Sequence, residues 1–401
     1  MKRTIFLLLS FTLIALQNLG QEVKTENFTI TGNIQGNVDG KKVYLFFDSE
    51  KQNPLDSTLI KNGIFKFKGH INEPHLYHIL IIENGKRWAI HPAISLFLEN
   101  SDIKISTNVD SIPKSFLLYE KNYPYNKLKI SGSKSHDLFV RYFDENNLLK
   151  KKYTDANHAY TAYLSSRARD QKITIHDGII AVNAIDVARN DRLQYVKQFI
   201  KTNSSNAVSL TVAQINLGNY SVKQIDTLLN ELSPGIKETE YGKQLLSRAE
   251  IVKKTAPGSK FVDFSFQDTS GKVVTLSNYL GRGKYVLLEL WASWCAPCIK
   301  DIPHLKSVYQ LYHPSGFEVI QISMDDDKAK WLKAVNDQQM NWLQISDLKA
   351  FNGEFSKVYD FESIPTCILI GPNGEIITRN MRGSWMDKKL IELYGDKFED
   401  K

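Results

Sequence analysis

The sequence predicts a multidomain protein with an N-terminal antiparallel β-domain, a helical middle region and a C-terminal α/β domain. Its 401 residues exceed the usual size of a single domain. Apolar residues alternate up to about residue 132 and afterwards recur every three or four positions, until strand-like and helix-like patterns take turns from about residue 255. We therefore expect a signal peptide at 1–20, a β-sandwich-like accessory domain at 21–132, a helical region at 133–254 and an α/β domain at 255–401.

The composition is that of an ordinary soluble protein, with 42% hydrophobic and 24% charged residues. The formal net charge is +7, which becomes +5 when Lys2 and Arg3 are left out with the leader. A positive charge this small, without a clustered basic stripe, does not indicate a nucleic-acid partner. A solvated surface is the better interpretation.

The first twenty residues have a basic start, an apolar run from Ile5 to Leu16 and a polar end before Gln21. This pattern is typical of a secretory signal peptide. The run is shorter than the ~20 apolar residues that a membrane-spanning helix needs. The sequence therefore predicts export to the cell envelope or periplasm, and an uncleaved signal anchor is the alternative.

Short runs with alternating apolar residues predict the strands of the β-domain, as an antiparallel sandwich or small barrel. The turns Val38-Asp39-Gly40 and Lys61-Asn62-Gly63 separate some of them. The strand-like runs are FTITGNI, KKVYLFF, GIFKFKGHI, HLYHILII and ISLFLENSDIKIS. Helical spacing then marks HDLFVRYFDENNLLKKKY, DRLQYVKQFIKT and VKQIDTLLNEL in the middle region.

Alternating strands and helices predict an α/β layer with a mixed sheet in the last domain. A hairpin of FVDFSFQD and KVVTLS opens it, and a second hairpin crosses Pro372-Asn373-Gly374. Between them, we expect helices after Cys295, over KAKWLKAVNDQQM and before Asp360. The expected strands are YVLLELWA, FEVIQISMD and CILIG.

Two of the three cysteines, Cys295 and Cys298, lie in LELWASWCAPCIKDIP. A disulfide across two intervening residues gains little chain entropy, so it is a poor structural staple. A structural zinc site needs about four ligands, and the third cysteine, Cys367, lies in an apolar strand where a buried, inert thiol is expected. We therefore expect Cys295 and Cys298 to form a strained, exposed small-loop disulfide, which is the labile and exchangeable kind.

The pattern places Cys295 at the start of a helix, where backbone N–H groups and the helix dipole favour a thiolate. Cys295 is the expected nucleophile, and Cys298, one turn later, is expected to resolve the mixed disulfide. Pro297 suits the first helical turn, whereas Pro303 is expected to kink the helix. Trp294, together with Trp291, is expected to supply an apolar surround that favours docking of a flexible chain.

Glu289 interrupts the apolar run VLLELW, where an unpaired charge is costly. We expect it to lie beneath the disulfide as a general base for Cys298 with a pKa raised by burial; the alternative is a carboxylate that reaches solvent at the sheet end. Asp301, one helical turn after Cys298, either tunes the thiols or complements the helix start.

WCAPC, Pro303 and the tripeptide Ile364-Pro365-Thr366 resemble the thioredoxin superfamily. The resemblance implies that Pro365 is cis and faces the disulfide, that the backbone of Ile364 pairs with substrate, and that Glu289 occupies the place of a buried acidic residue. More narrowly, Ala256 to about Leu393 resembles the TlpA/ResA-type thiol-disulfide oxidoreductases of the bacterial envelope. The N-terminal β-region looks like the domain of unknown function that often precedes such modules.

The resemblance implies an exported thiol:disulfide oxidoreductase that acts as a protein-disulfide reductase and needs no cofactor. Ala296 and Pro297 between the cysteines favour a reductant, because strongly oxidising relatives usually carry His there. The implied partners are protein disulfide substrates and a membrane or envelope thiol electron donor, with no nucleic acid and no metal.

Two other functions stay open. Peroxiredoxins share the fold, but they carry Thr three residues and Pro seven residues before the reactive cysteine, where this chain has Ala292 and Leu288. The second is an envelope binding protein with an accessory redox module, because more than half of the mature chain precedes the α/β domain.

Overall fold

The computed structural model describes residues 27–47, 54–82, 92–112, 127–167, 173–361 and 363–398. The proposed signal peptide at 1–20 lies outside the described residues. Within the described part of the chain, no helix combines the length and apolar character needed to cross a membrane.

The N-terminal region is a sandwich of two four-stranded sheets, with strand orders β4-β1-β7-β8 and β3-β2-β5-β6. Its strands are β1 (Phe28–Gln35), β2 (Lys42–Phe46), β3 (Asp56–Leu59), β4 (Ile64–Gly69), β5 (His75–Ile82), β6 (Ala93–Leu98), β7 (Asp102–Asn108) and β8 (Lys129–Ser131). Burial alternates along β1, β4 and β7, as the period-two pattern predicted, whereas β6 is buried at every position. The buried core between the two sheets contains Ile30, Phe65 and Ile103 from one sheet and Val43 and Ile79 from the other.

One strand pair departs from the predicted antiparallel arrangement. β1 and β7 run parallel, with Thr29 opposite Asp102. Between these two strands the chain contributes strands to the second sheet, so β1 and β7 are not joined by a hairpin that would make them antiparallel. The run ISLFLENSDIKIS accordingly divides into β6 and β7, which belong to different sheets.

The middle region is helical, as predicted. It comprises α1 (Lys134–Arg167), α2 (Ile175–Thr202), α3 (Ala207–Asn216), α4 (Val222–Asn230), α5 (Pro234–Glu238) and α6 (Glu240–Lys253). The apolar faces of these helices share one core, to which Phe139, Phe199, Leu210, Ile225 and Leu245 contribute fully or largely buried side chains. Local capping fixes two of the helix starts, because Thr174 and Ser221 each form a capping box with the residue three positions later.

The C-terminal region is built on a seven-stranded mixed sheet of order β10-β9-β13-β12-β11-β14-β15. Its elements are β9 (Ser265–Asp268), β10 (Val273–Thr275), β11 (Tyr285–Trp291), α7 (Ala296–Tyr312), β12 (Phe317–Ser323), α8 (Lys328–Asp337), β13 (Leu343–Ser346), α9 (Glu354–Val358), β14 (Thr366–Ile370), β15 (Ile376–Arg379) and α10 (Ser384–Tyr394). The central strand β11 pairs in parallel with β12 and antiparallel with β14. The predicted multidomain architecture with a thioredoxin-like C-terminal domain is therefore confirmed. The strand β13 and the helix α10 were not among the individually predicted elements.

The helical region docks on α10 through hydrogen bonds from aromatic and acidic side chains. The hydroxyl of Tyr160 accepts a bond from the backbone N–H of Ser384 at 3.1 Å. Asp186 accepts from the indole of Trp385 and from the ammonium of Lys388, each at 3.0 Å. At the same contact Gly178 lies so close to Ser384 that a methyl group there would stand 2.3 Å from the serine Oγ. The middle region and the C-terminal domain are thus in direct, close-packed contact.

Candidate active site

The two cysteines of the motif form a disulfide at the start of α7. Cys295 is the N-cap residue of the helix, and its Sγ accepts a hydrogen bond from the backbone N–H of Cys298 at 3.3 Å. Strand β11 ends four residues earlier, at Trp291. The strand, turn and helix that the sequence predicted therefore place Cys295 at the positive end of the helix dipole.

The exposure of this disulfide differs from the expectation. Cys295 is 3% exposed and Cys298 is 2% exposed, because both cysteines pack into the core of the C-terminal domain. The exposed part of the motif is its rim, formed by Trp294, Ala296 and Pro297. Trp294 is 59% exposed, whereas Trp291 is buried and does not share the surface role that we expected for it. The helix continues through Pro303 to Tyr312.

Glu289 lies in the middle of the central strand β11 and is 4% exposed. Its backbone neighbours are Gln321 on β12 and Cys367 on β14. Burial raises the pKa of Glu289 to about 7, and the hydrogen bond from Gln321 Nε2 to Glu289 Oε2, at 2.7 Å, opposes that rise. A carboxylate that reaches solvent at the sheet end, the alternative interpretation of this residue, is wrong. Glu289 is a buried acid that can change protonation near neutral pH.

Charged side chains from α7 and from the segment before α10 act on Glu289. Asp301 raises the pKa of Glu289, whereas Arg382 and His304 lower it. Asp301 does not stand alone, because the Nε of Arg382 donates to its Oδ2 at 2.8 Å. His304 Nε2 lies 2.8 Å from an oxygen of the fully buried Asp387. Each of the three side chains that act on Glu289 thus lies within hydrogen-bonding distance of a partner: Asp301 and Arg382 bond each other, and His304 lies beside Asp387.

The segment before β14 leads into the strand through the tripeptide Ile364-Pro365-Thr366. The peptide bond between Ile364 and Pro365 is cis, and Ile364 packs against the core of the C-terminal domain. Thr366 donates from Oγ1 to the carbonyl of Ser363 at 2.9 Å. Cys367 is a free, buried thiol, and burial raises its pKa well above the usual range. This agrees with the expected inert cysteine.

Gln321, Arg382 and His304 escaped the sequence analysis. Gln321 carried a signal, because it is the one polar residue inside the apolar run VIQI, directly opposite Glu289 once the strands pair. Arg382 and His304 carried none, since their partners are 81 and 83 residues away in the chain. In the described part of the chain, no group of three or more histidine, cysteine, aspartate or glutamate side chains could hold a metal ion.

Comparison with known proteins gives two family matches, one in the N-terminal and one in the C-terminal part of the chain. Residues 28–139 match a domain of unknown function, DUF4369, and residues 257–379 match the AhpC/TSA family. A thiol-disulfide oxidoreductase from Bacteroides fragilis, of solved structure, is 32% identical, with 34% of this chain and 99% of that chain covered and a TM-score of 0.32.

Several curated relatives carry the name thiol-disulfide oxidoreductase ResA. The protein from Geobacillus kaustophilus is 30% identical over 141 residues, which cover 34% of this chain and 78% of the relative. The protein from Bacillus subtilis is 28% identical over 120 residues, or 30% of this chain. The matched segment spans 64% of the Bacillus subtilis protein, slightly less than two thirds of its length. By this similarity, which lies in its C-terminal domain, the chain belongs to the ResA family of thiol-disulfide oxidoreductases.

Proposed function

We propose that this protein is an exported reductase that transfers electrons from a thiol donor to disulfides in envelope proteins through Cys295 and Cys298. The observation that carries the proposal is the position of Cys295 at the N-cap of α7, bonded to a second cysteine one turn later. A thiolate at this position is stabilised by the helix dipole and by the N–H of Cys298, which already points at the Cys295 sulfur.

In the first step, the thiolate of Cys295 attacks one sulfur of a substrate disulfide. A mixed disulfide between Cys295 and the substrate forms, and the other substrate sulfur leaves as a thiolate. In the second step, Cys298 loses its proton and attacks the sulfur of Cys295. The Cys295–Cys298 disulfide forms, and the second substrate thiolate is released. The substrate has then gained two electrons, which a membrane or envelope thiol donor must restore to the enzyme.

Glu289 is the proposed proton acceptor for Cys298 in the second step. Its burial supports this role, since a pKa of about 7 lets the carboxylate take up and return a proton near neutral pH. Asp301 acts on Glu289 through its negative charge, and Arg382 limits that effect by pairing with Asp301. We therefore assign Asp301 the tuning role rather than that of complementing the helix start.

Substrate docking is assigned to the rim of the disulfide and to the cis peptide segment. The exposed indole of Trp294 offers an apolar contact beside Cys295. The backbone of Ile364, held by Pro365, offers the strand-like pairing that the family resemblance implies. Recognition of this kind reads the backbone of an extended substrate segment.

The proposal is tested by trapping the mixed disulfide. Replacing Cys298 with alanine removes the resolving thiol, so the reduced variant should accumulate a covalent complex with a disulfide-containing protein such as insulin. Cys295→Ala should form no complex and lose turnover with dithiothreitol as donor. Cys367→Ala is the matched control and should behave like the unchanged protein. Turnover that survives in Cys295→Ala would contradict the proposal.

A thiol peroxidase is the second candidate, because residues 257–379 match the AhpC/TSA family. Leu288 and Ala292 stand where peroxiredoxins carry Pro and Thr, and the resolving cysteine is local, which argues against it. Stopped-flow oxidation of the reduced protein by hydrogen peroxide discriminates the two functions. We expect oxidation by peroxide to be much slower than oxidation by a protein disulfide, and the opposite order would favour the peroxidase.

A further inference from the structure

Three polar side chains form a buried row across the centre of the C-terminal sheet. Glu289 on β11 is paired with Gln321 on β12, and Gln321 is paired with Gln344 on β13. Their exposed fractions are 4%, 1% and 3%. Polar groups buried this deeply destabilise a fold unless they are hydrogen-bonded. The row must therefore satisfy its own donors and acceptors.

The partners of these side chains fix the direction of every hydrogen bond in the row. The oxygen and nitrogen of a glutamine amide are similar in shape, so their positions follow from their partners. The indole N–H of Trp342 can only donate, and it points at Oε1 of Gln321 at 2.8 Å. The indole of Trp291 does the same to Oε1 of Gln344 at 3.1 Å. Both amide oxygens are thereby assigned.

With both amide oxygens assigned, each amide nitrogen must point toward the next side chain of the row in the direction of Glu289. Nε2 of Gln344 donates to Oε1 of Gln321 at 2.6 Å, and Nε2 of Gln321 donates to Oε2 of Glu289 at 2.7 Å. Oε1 of Gln321 thus receives two donors and cannot turn toward Glu289 without leaving both unpaired in the core. Each bond also polarises the next one along the row.

We propose that Trp291, Gln344, Trp342 and Gln321 form a relay of fixed polarity that keeps a donor on Glu289, so that Glu289 is a carboxylate ready to accept the proton of Cys298. This inference rests on the proposed role of Glu289 as proton acceptor and assigns Gln321 as its positioning residue. The relay is built from side chains that do not contact the reacting sulfurs in the proposed mechanism.

The chemistry of the two protonation states explains why direction matters. The Gln321 N–H donates to Glu289 Oε2, and this bond is stronger when Glu289 is a charged carboxylate than when it is a neutral acid. The O–H of a protonated Glu289 also finds no acceptor on Gln321, whose Oε1 is held by two other donors. Other groups also act on Glu289: Asp301 raises its pKa, and His304 and Arg382 lower it. Cys367 faces it from β14 but is itself a neutral, buried thiol. Among the influences that favour ionisation, the bond from Gln321 is the largest.

The test compares three kinds of variant. One removes the Gln321 donor, one removes the two side chains that hold the Gln321 amide in its orientation, and one does neither. Gln321→Met removes the N–H that faces Glu289. Trp342→Phe combined with Gln344→Met leaves Gln321 in place but frees its amide to turn. Trp331→Phe is the matched control, because Trp331 is equally buried and its indole N–H has no hydrogen-bond partner within the described residues.

Two readouts are taken on the full-length chain. The titration of the Glu289 carboxyl is followed by 13C NMR in the oxidised protein, and the pH profile of turnover is measured with insulin and dithiothreitol. We expect the carboxyl midpoint to rise by about one to two pH units in Gln321→Met. It should rise by a smaller amount in the double variant and stay unchanged in Trp331→Phe. Should Gln321→Met fail to fold, the double variant carries the same test.

The relay is refuted when neither the donor variant nor the double variant moves the carboxyl midpoint beyond that of Trp331→Phe. A midpoint that rises together with the alkaline shift of the turnover profile supports both the relay and the role of Glu289. A midpoint that rises while the turnover profile stays in place supports the control of Glu289 by the relay but refutes Glu289 as the proton acceptor. The two failures are therefore distinguishable.

Discussion

Replacing Glu289 with glutamine should stabilise the C-terminal domain, and the gain should depend on pH. The substitution keeps the side-chain length and an oxygen that can accept from Gln321 Nε2, now 2.7 Å from the carboxylate. It removes the ionisation and replaces one carboxylate oxygen with an NH2 donor, whose effect on stability does not vary with pH. The pH-dependent part of the difference in free energy of unfolding between the two proteins therefore isolates the cost of a charge in the middle of the sheet.

The magnitude follows from the pKa of Glu289, which burial raises from 4.5 to about 7. Below pH 4.5 the carboxyl is protonated in both the folded and unfolded states, so its ionisation contributes nothing to stability. Between pH 4.5 and about 7 the unfolded chain releases the proton and the folded protein keeps it, so the free energy of unfolding falls as pH rises. Above pH 7 the loss is complete, at about 3 kcal/mol.

Urea unfolding of the oxidised proteins at pH 4.5, 6 and 8 measures this difference. Tryptophan fluorescence is a suitable probe, because five of the six tryptophans lie in the C-terminal domain. Glu289→Gln should gain about 3 kcal/mol more at pH 8 than at pH 4.5. The exposed Glu354→Gln is the matched control and should differ by less than about 0.5 kcal/mol at each pH. A gain that is equal at pH 4.5 and pH 8 would show that Glu289 is not a buried acid with a raised pKa.

Two further outcomes test the packing. Gly178→Ala places a methyl group 2.3 Å from Ser384 Oγ and 2.4 Å from the ring of Tyr163, so differential scanning calorimetry should show a loss of about 1–3 kcal/mol. Gly218→Ala is the control, because its methyl group would meet no atom within 4 Å, and it should lose no stability. An equal loss of stability in the two variants would contradict the docking of α2 on α10. In the oxidised protein, Cys367 is the free thiol and is 2% exposed. Ellman's reagent should therefore count no thiol in the native state and one after denaturation in guanidinium, whereas rapid native labelling would refute its burial.

Local signals explain how much of the fold and site the sequence could predict. Cys295 was placed at a helix start because the apolar run before it, the turn residues and Pro297 are all within a few positions of one another. Glu289 stood out because a charge inside an apolar strand is costly. The pairing of β1 with β7 and the burial of the disulfide depend on tertiary packing, and both differ from the expectation. Neither property is encoded in a short window of sequence.

The buried row of Glu289, Gln321 and Gln344 is a second feature that depends on tertiary packing and could not be predicted from a short window of sequence. Gln321 and Gln344 each follow and precede an apolar residue, and this pattern marks a polar group in a strand without indicating which side chain it will meet. Their role as hydrogen-bond partners can be recognised only when the pairing of β11, β12 and β13 is known, because that register places three polar side chains side by side. The fixed direction of the row then comes from Trp291 and Trp342, which the apolar pattern alone would assign to the core.

The reduction potential of the Cys295–Cys298 pair tests the central claim most directly. The full-length protein is equilibrated in glutathione or dithiothreitol buffers, and the redox state is followed by the fluorescence of Trp294, which adjoins Cys295 in the chain. The proposed function predicts a reversible couple near that of thioredoxin, at about −270 mV. A value near about −120 mV would make the protein an oxidant that introduces disulfides, and a pair that does not cycle at all would contradict the enzymatic function itself.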